Sequence, residues 1–236
     1  MRTLLLFGLI LSGALSRDVH AQDGFVAQTG APLSYNVFDR NGRMFVNPSP
    51  DVAGSPFYAD DWRLGTLVAM DNYRYDSVKL RLNLQSEEVH VLDTNRNEIA
   101  LAKGYIKEVV LPGKFNGKAG GARFKCGFPA IDALDKYTFY EVVSEGKCSL
   151  LHSIRKVISQ QKDDLSGEVT KEYQLYDEYY VYDGQRMQRV KKDKAFILAA
   201  LNGKRDQIEA FMDANKLKAR SVDDIKRIID YYNTLP

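Results

Sequence analysis

Val78, Leu80, Leu82 and Leu84 alternate with Lys79, Arg81 and Asn83. A period of two predicts a strand buried on one face. Val89 and Val91 continue the pattern around His90, and Ile99 and Leu101 follow the polar turn 93–97. A further strand is predicted from Tyr105 to Leu111, after Gly104. Short strands joined by short polar turns read as an antiparallel meander, with one face buried and the other wet. More strands are predicted over 122–128, 138–144, 148–158, 173–182 and 186–190, the last pair turning at Asp183-Gly184. Two stretches break the pattern: the glycine-rich 112–121, and the polar 160–170, expected as a mobile loop.

Near residue 191 the period changes. Phe196, Ile197, Ala200 and Leu201 suit a helix that stops at Asn202-Gly203, and Ile208, Phe211 and Met212 mark a second. Ser221 followed by Asp224 resembles a capping box with Asp in place of Glu. Val222, Ile225, Ile228, Ile229 and Tyr232 form the apolar stripe of a third helix. The expected fold class is therefore α+β: a curved antiparallel β-meander, as an open sheet or half-barrel, with two or three C-terminal helices. Such helices would also cover an exposed strand edge.

The N-terminus carries a different pattern. Arg2 precedes an apolar run from Leu4 to Leu15, and Val19-His20-Ala21 offers small-x-Ala processing chemistry. This is the pattern of a secretory signal, too short for a membrane span. The expected organisation is a signal peptide at 1–21, an irregular arm at 22–64 with a hairpin near Tyr35 to Val46, a β body at 65–190, and a helical tail at 191–236. After Ala21 no apolar run approaches the roughly 20 residues of a spanning helix. The strands are too few and too short for an outer-membrane barrel. The expected location is soluble, in the periplasm or outside the cell.

Without residues 1–21 the chain holds 31 basic and 30 acidic side chains, net +1, distributed as −4 over 22–183 and +5 over 184–236. The basic tail reads as a solvated helical face, with attraction to an anionic surface as the alternative, and no nucleic-acid-binding motif is present. The two cysteines, Cys126 and Cys148, lie on predicted neighbouring strands, and an oxidising compartment permits a disulfide; the alternative is two buried thiols. Neither CxxC nor HxxxH spacing occurs, so no metal or other cofactor is expected.

Candidate chemistry is sparse. His90 is read as a solvated surface histidine and His152 as a hydrogen-bonded strand residue rather than a catalyst. Asp60-Asp61 before Trp62, the single tryptophan, reads as a turn cap, since adjacent acids on a strand point to opposite faces. No GxSxG, HExxH or P-loop spacing occurs. Tyr176, Tyr180 and Tyr182 share one face of the most aromatic strand. They are either a binding surface, for sugar rings or a partner protein, or cross-strand packing.

Two segments resemble a set of exported β-rich proteins of Gram-negative bacteria with no established activity. One is Gly54-Ser55-Pro56-Phe57-Tyr58 with Asp60-Asp61-Trp62 and Gly65. The other is Asn215-Lys216-Leu217-Lys218 with Asp230-Tyr231-Tyr232-Asn233. The resemblance implies a signal peptide, an antiparallel body and a helical end, and transfers no catalytic residue. The leading expectation is a non-catalytic envelope protein that binds an unknown ligand or a protein partner. The alternatives are a hydrolase with a dispersed site and an envelope assembly or scaffold protein. N-terminal sequencing of the exported protein is expected to begin at Gln22; a first residue within the apolar run would overturn the signal assignment.

Overall fold

A computed structural model describes residues 51–113, 120–165, 167–201 and 203–236. The expected signal peptide, the hairpin near Tyr35 to Val46 and most of the 112–121 loop lie outside these residues. Among the described residues the strands are β1 (Val52–Ala53), β2 (Arg63–Ala69), β3 (Arg74–Asn83), β4 (Glu88–Leu92), β5 (Glu98–Leu101) and β6 (Ile106–Leu111). They continue as β7 (Ala122–Lys125), β8 (Tyr140–Ser144), β9 (Ser149–Lys162), β10 (Val169–Tyr182) and β11 (Met187–Arg189). Helices α1 (Lys194–Ala200), α2 (Arg205–Ala214) and α3 (Val222–Thr234) follow.

All eleven strands join one sheet in the order β1-β10-β9-β8-β7-β6-β2-β3-β4-β5, with β11 also on β10. Every pairing is antiparallel except β1 against β10. The sheet is open but strongly curled. β5 and β6 are separated in the order by β2, β3 and β4, about 19 Å across a flat sheet. Only residues 102–105 connect them, and these turn, with Tyr105 N–H donating to Ala102 O at 3.1 Å. A link that short closes only if the sheet bends back on itself.

The bend creates an interior. Val78, Leu80 and Leu82 face it as their alternation predicts, together with Leu67, Val109 and Phe124. Gly65 is required where β2 bulges between β3 and β6: a Cβ there would lie 2.5 Å from Val110 O.

The polar stretch 160–170 is strand at both ends, over 160–162 and 169–170. β9 runs to Lys162 and β10 starts at Val169, so these strands form one hairpin paired from Ser149↔Tyr182 to Lys162↔Val169. Backbone pairing to a long neighbour holds these polar residues extended, although their side chains bury little.

α1 and α3 carry side-chain N-caps, that of α3 where the sequence places it, and α2 has none. Asp193 accepts from Phe196 N–H at 2.7 Å, and Ser221 accepts from Asp224 N–H at 3.1 Å. The capping box is half formed, because the Asp224 carboxylate accepts instead from Lys218 N–H at 3.0 Å. The helices pack through Ile197, Ile208, Met212, Ile225, Ile228 and Ile229 against Cys148, Leu150 and Val181 of the sheet. The large exposed apolar side chains lie elsewhere, none of them on the helices. A tail-helix patch of the kind an assembly protein would need is thus missing among the described residues.

One polar lock sets the helix position. Asn233 on α3 pairs with the backbone of Cys148 like a strand neighbour, accepting from its N–H at 2.9 Å and donating to its carbonyl at 2.8 Å. Gly146 makes room, since a Cβ there would collide with the Asn233 amide. Ser144 adds a 2.5 Å bond to Asp230. Asn233→Ala leaves both backbone groups of Cys148 unpaired in a buried position, a cost of about 2 kcal/mol. The expected fall in Tm, by calorimetry, is roughly 4–8 °C.

Candidate functional site

The residues 54–62, expected as part of an irregular arm, form a strap held against the open side of the curled sheet. Tyr58 N–H donates to Leu82 O at 2.8 Å and Leu84 N–H to Pro56 O at 2.8 Å, which pairs the strap with the end of β3. Across the gap, Lys156 of β9 donates its backbone N–H to Leu84 O at 3.1 Å. Its ammonium donates to Ser55 O and Phe57 O, each at 2.7 Å. Burial pushes the Lys156 ammonium below its ordinary value, and the charge of Asp60 works against that shift.

Between strap and sheet lies a cleft of about 650 Å³. One face of β9 explains its character. Cys148 and Leu150 belong to the helix cluster and Ile154 to the interior of the curled sheet, with His152 between them. The cleft therefore opens at the seam of two apolar clusters. Phe57, Tyr58, Leu84, Ile154 and Leu175 supply its apolar lining, while Glu141, Asp177, Asp60, Asp61 and Arg63 bring charge.

His152 is nine-tenths buried and held on three sides. In register, Glu141 of β8 and Tyr179 of β10 stand directly opposite it. Its Nδ1 lies 2.9 Å from Glu141 Oε2 and its Nε2 3.2 Å from Asp177 Oδ2. Tyr179 stacks on the ring at 4.1 Å, nearly parallel. Both ring nitrogens thus face carboxylates, although a neutral imidazole carries one N–H. Tyr58, edge-on to Phe124 at 4.9 Å, has its hydroxyl pushed up to about 12 by burial and by the charge of Glu141. Arg63 pairs with Asp61 at 2.9 Å.

A second polar cluster sits on the other face of β3 to β5. His90 is buried rather than solvated, because Phe57 of the strap packs edge-on against it at 5.1 Å. His90 Nδ1 lies 2.6 Å from Glu98 Oε1, and Arg81 donates to the same oxygen at 2.8 Å. The Arg81 guanidinium also lies over Phe57 and Trp62, at 3.9 and 4.2 Å. These groups anchor the strap from outside the cleft.

Cys126 and Cys148 are separate thiols, and no disulfide joins them. β8 separates the strands beside them, Cys126 packs on the sheet interior and Cys148 on the helices. Burial pushes the two thiols up to about 11 and about 12. Tyr176, Tyr180 and Tyr182 share a face but do not form an exposed row. Tyr180 is fully buried between Tyr140 and the loop residues Ile131 and Leu134, Tyr182 packs on Phe128, and Tyr176 alone is exposed. The 128–134 loop folds over that face, which the strand pattern could not reveal.

Asp60 and Asp61 both line the cleft, since the strap is irregular there and strand alternation does not apply. Sequence reasoning missed Glu141, Asp177 and Lys156. The available signal was charge on an otherwise apolar face: Leu150, His152, Ile154 and Lys156 are spaced two apart. Among the described residues no group of His, Cys, Asp and Glu is arranged to hold a metal ion. No family model, curated protein or solved structure matches the chain. The site is therefore read from its own chemistry.

The Arg81–Glu98–His90 cluster generates a pH prediction. Burial opposes ionisation of Glu98, but hydrogen bonds from His90 and Arg81 outweigh it and hold the carboxyl below its ordinary 4.5. A lowered folded value means stability that is fully present above 4.5 and lost as pH falls through the folded value. Glu98→Gln is expected to cost about 1–3 kcal/mol at neutral pH. Urea unfolding at a series of pH values should show that difference closing below pH 4.5.

Proposed function

We propose that this chain is an exported envelope protein that holds a small ligand in the cleft beneath the strap. The cleft carries the reading. Its volume of about 650 Å³ falls within the range of small-molecule sites, and its walls combine an apolar lining with a few converging polar groups. His152, Glu141 and Asp177 are the polar end; Phe57, Leu84 and Ile154 are the apolar wall. Export is supported by the apolar run and processing pattern of residues 1–21, and by the resemblance to exported β-rich proteins. Among the described residues no helix is long and apolar enough to cross a membrane, which accords with a chain released after export.

A hydrolase is the second reading, favoured by an imidazole flanked by carboxylates within a cleft, an arrangement suited to general acid–base work. Its nucleophile would be a carboxylate or a water activated by His152. The lining includes neither Ser nor Cys, and both thiols lie in other clusters. Binding, which needs only the cleft and its lining, is the simpler reading.

Native mass spectrometry of the mature protein, purified gently from its own envelope fraction, tests this. A bound small mass that disappears on denaturation, and from an Ile154→Arg variant that fills the cleft, is the expected result. A bare monomer that also fails to shift in Tm across a panel of small envelope molecules would overturn the proposal.

A further inference from the structure

We infer that the cleft selects a cation, specifically a protonated amine carried on an apolar body. The inference rests on the cleft being a ligand site and adds the chemical class of what enters it. Four carboxylates line the cleft, Asp60, Asp61, Glu141 and Asp177, against the basic side chains of Arg63 and Lys156. Both cations are engaged. Arg63 holds Asp61 at 2.9 Å, and Lys156 donates to Ser55 O and Phe57 O at 2.7 Å with the charge of Asp60 close by. Glu141 and Asp177 are left to share one imidazole.

For a neutral ring that sharing is incomplete by hydrogen-bond count. With one N–H on a neutral ring, one of the two carboxylates faces a nitrogen lone pair instead of a donor. Protonating the ring would supply the missing donor, and so would an ammonium group in the cleft, which brings three N–H donors and a full positive charge. Bonds from an ammonium to a carboxylate are about twice as strong as those between neutral groups. Tyr58 adds no competing negative charge, because burial and Glu141 push its hydroxyl up to about 12 and keep it neutral. Ile154 and Leu84 are buried against the interior, and Leu175 stands 56 % exposed. An amine seated at Glu141 and Asp177 thus has an apolar wall along which its body can lie. An anion would meet a surplus of carboxylates, and an alcohol would bring a single donor without charge.

Octylamine, octanol and octanoate test this, because they share an apolar body and differ in head charge. Each is titrated into the mature protein at neutral pH and low salt, with calorimetry and the fluorescence of Trp62 as readouts. Octylamine is expected to bind about tenfold more tightly than either of the others. Asp177→Asn, at a side chain 54 % exposed and so replaceable without unfolding, is expected to cut that preference about fivefold. Glu141→Gln is expected to do the same, with a thermal melt confirming that each variant is folded. Equal or tighter binding of octanol or octanoate overturns the cation inference and leaves the cleft as a ligand site of another class. A preference that survives in both folded variants overturns its assignment to Glu141 and Asp177. Failure of all three to bind overturns it outright, and only an empty native mass spectrum would extend that failure to the cleft itself.

Discussion

Lys156 holds the contact on which the cleft's shape depends. Its backbone reaches the end of β3 through Leu84 O, and its ammonium gathers two carbonyls of the strap. Three separate stretches of chain, near residues 56, 84 and 156, are thereby tied at one point. A partly buried ammonium is costly unless hydrogen-bonded, which explains both the lowered proton affinity and the two short bonds. β1 holds the chain just before the strap to β10, so loss of the Lys156 tie would release the middle of the strap from the β9 side. The cleft between strap and sheet would then become an open concave surface.

The same strand shows how a polar site persists in an apolar neighbourhood. Passing along one face of β9, Leu150 faces the helices, His152 faces two acids, and Ile154 faces the sheet interior. The two clusters do not fuse. Where they part, buried charge is tolerated because Glu141, Asp177 and Tyr179 partner the imidazole from neighbouring strands. A bulge in β8 between Val142 and Ser144 helps, letting Val143 pack on the helix cluster while Glu141 stays opposite His152. The second cluster, Arg81 with Glu98 and His90, does for the outer side of the strap what Lys156 does for the inner side.

Much of the architecture was legible in the chain. The alternation from Val78 to Leu84, the helical stripe from Val222 to Tyr232 and the Ser221 cap all appear where the pattern places them. The failures share a cause. The 160–170 stretch is polar, yet its two ends are strand, because backbone pairing rather than side-chain burial holds them there. For Tyr180 the pattern leaves surface and cross-strand packing both open, and a distant loop decides for packing. His90 sits on the nominally polar face of its strand, yet Phe57 covers it. In each case the deciding partner lies far away in sequence.

The sequence by itself determined the local elements, since periodicity and caps depend on neighbours within a few residues. It also determined the α+β class and the switch from strands to helices near residue 191. Only the tertiary structure decided the site. The Glu141–His152–Asp177 arrangement depends on the register of three strands. The cleft depends on a curl that brings residue 156 to residues 55, 57 and 84. Register and curvature are set by long-range pairing, turn geometry and bulges acting together, and no single stretch of the chain encodes them.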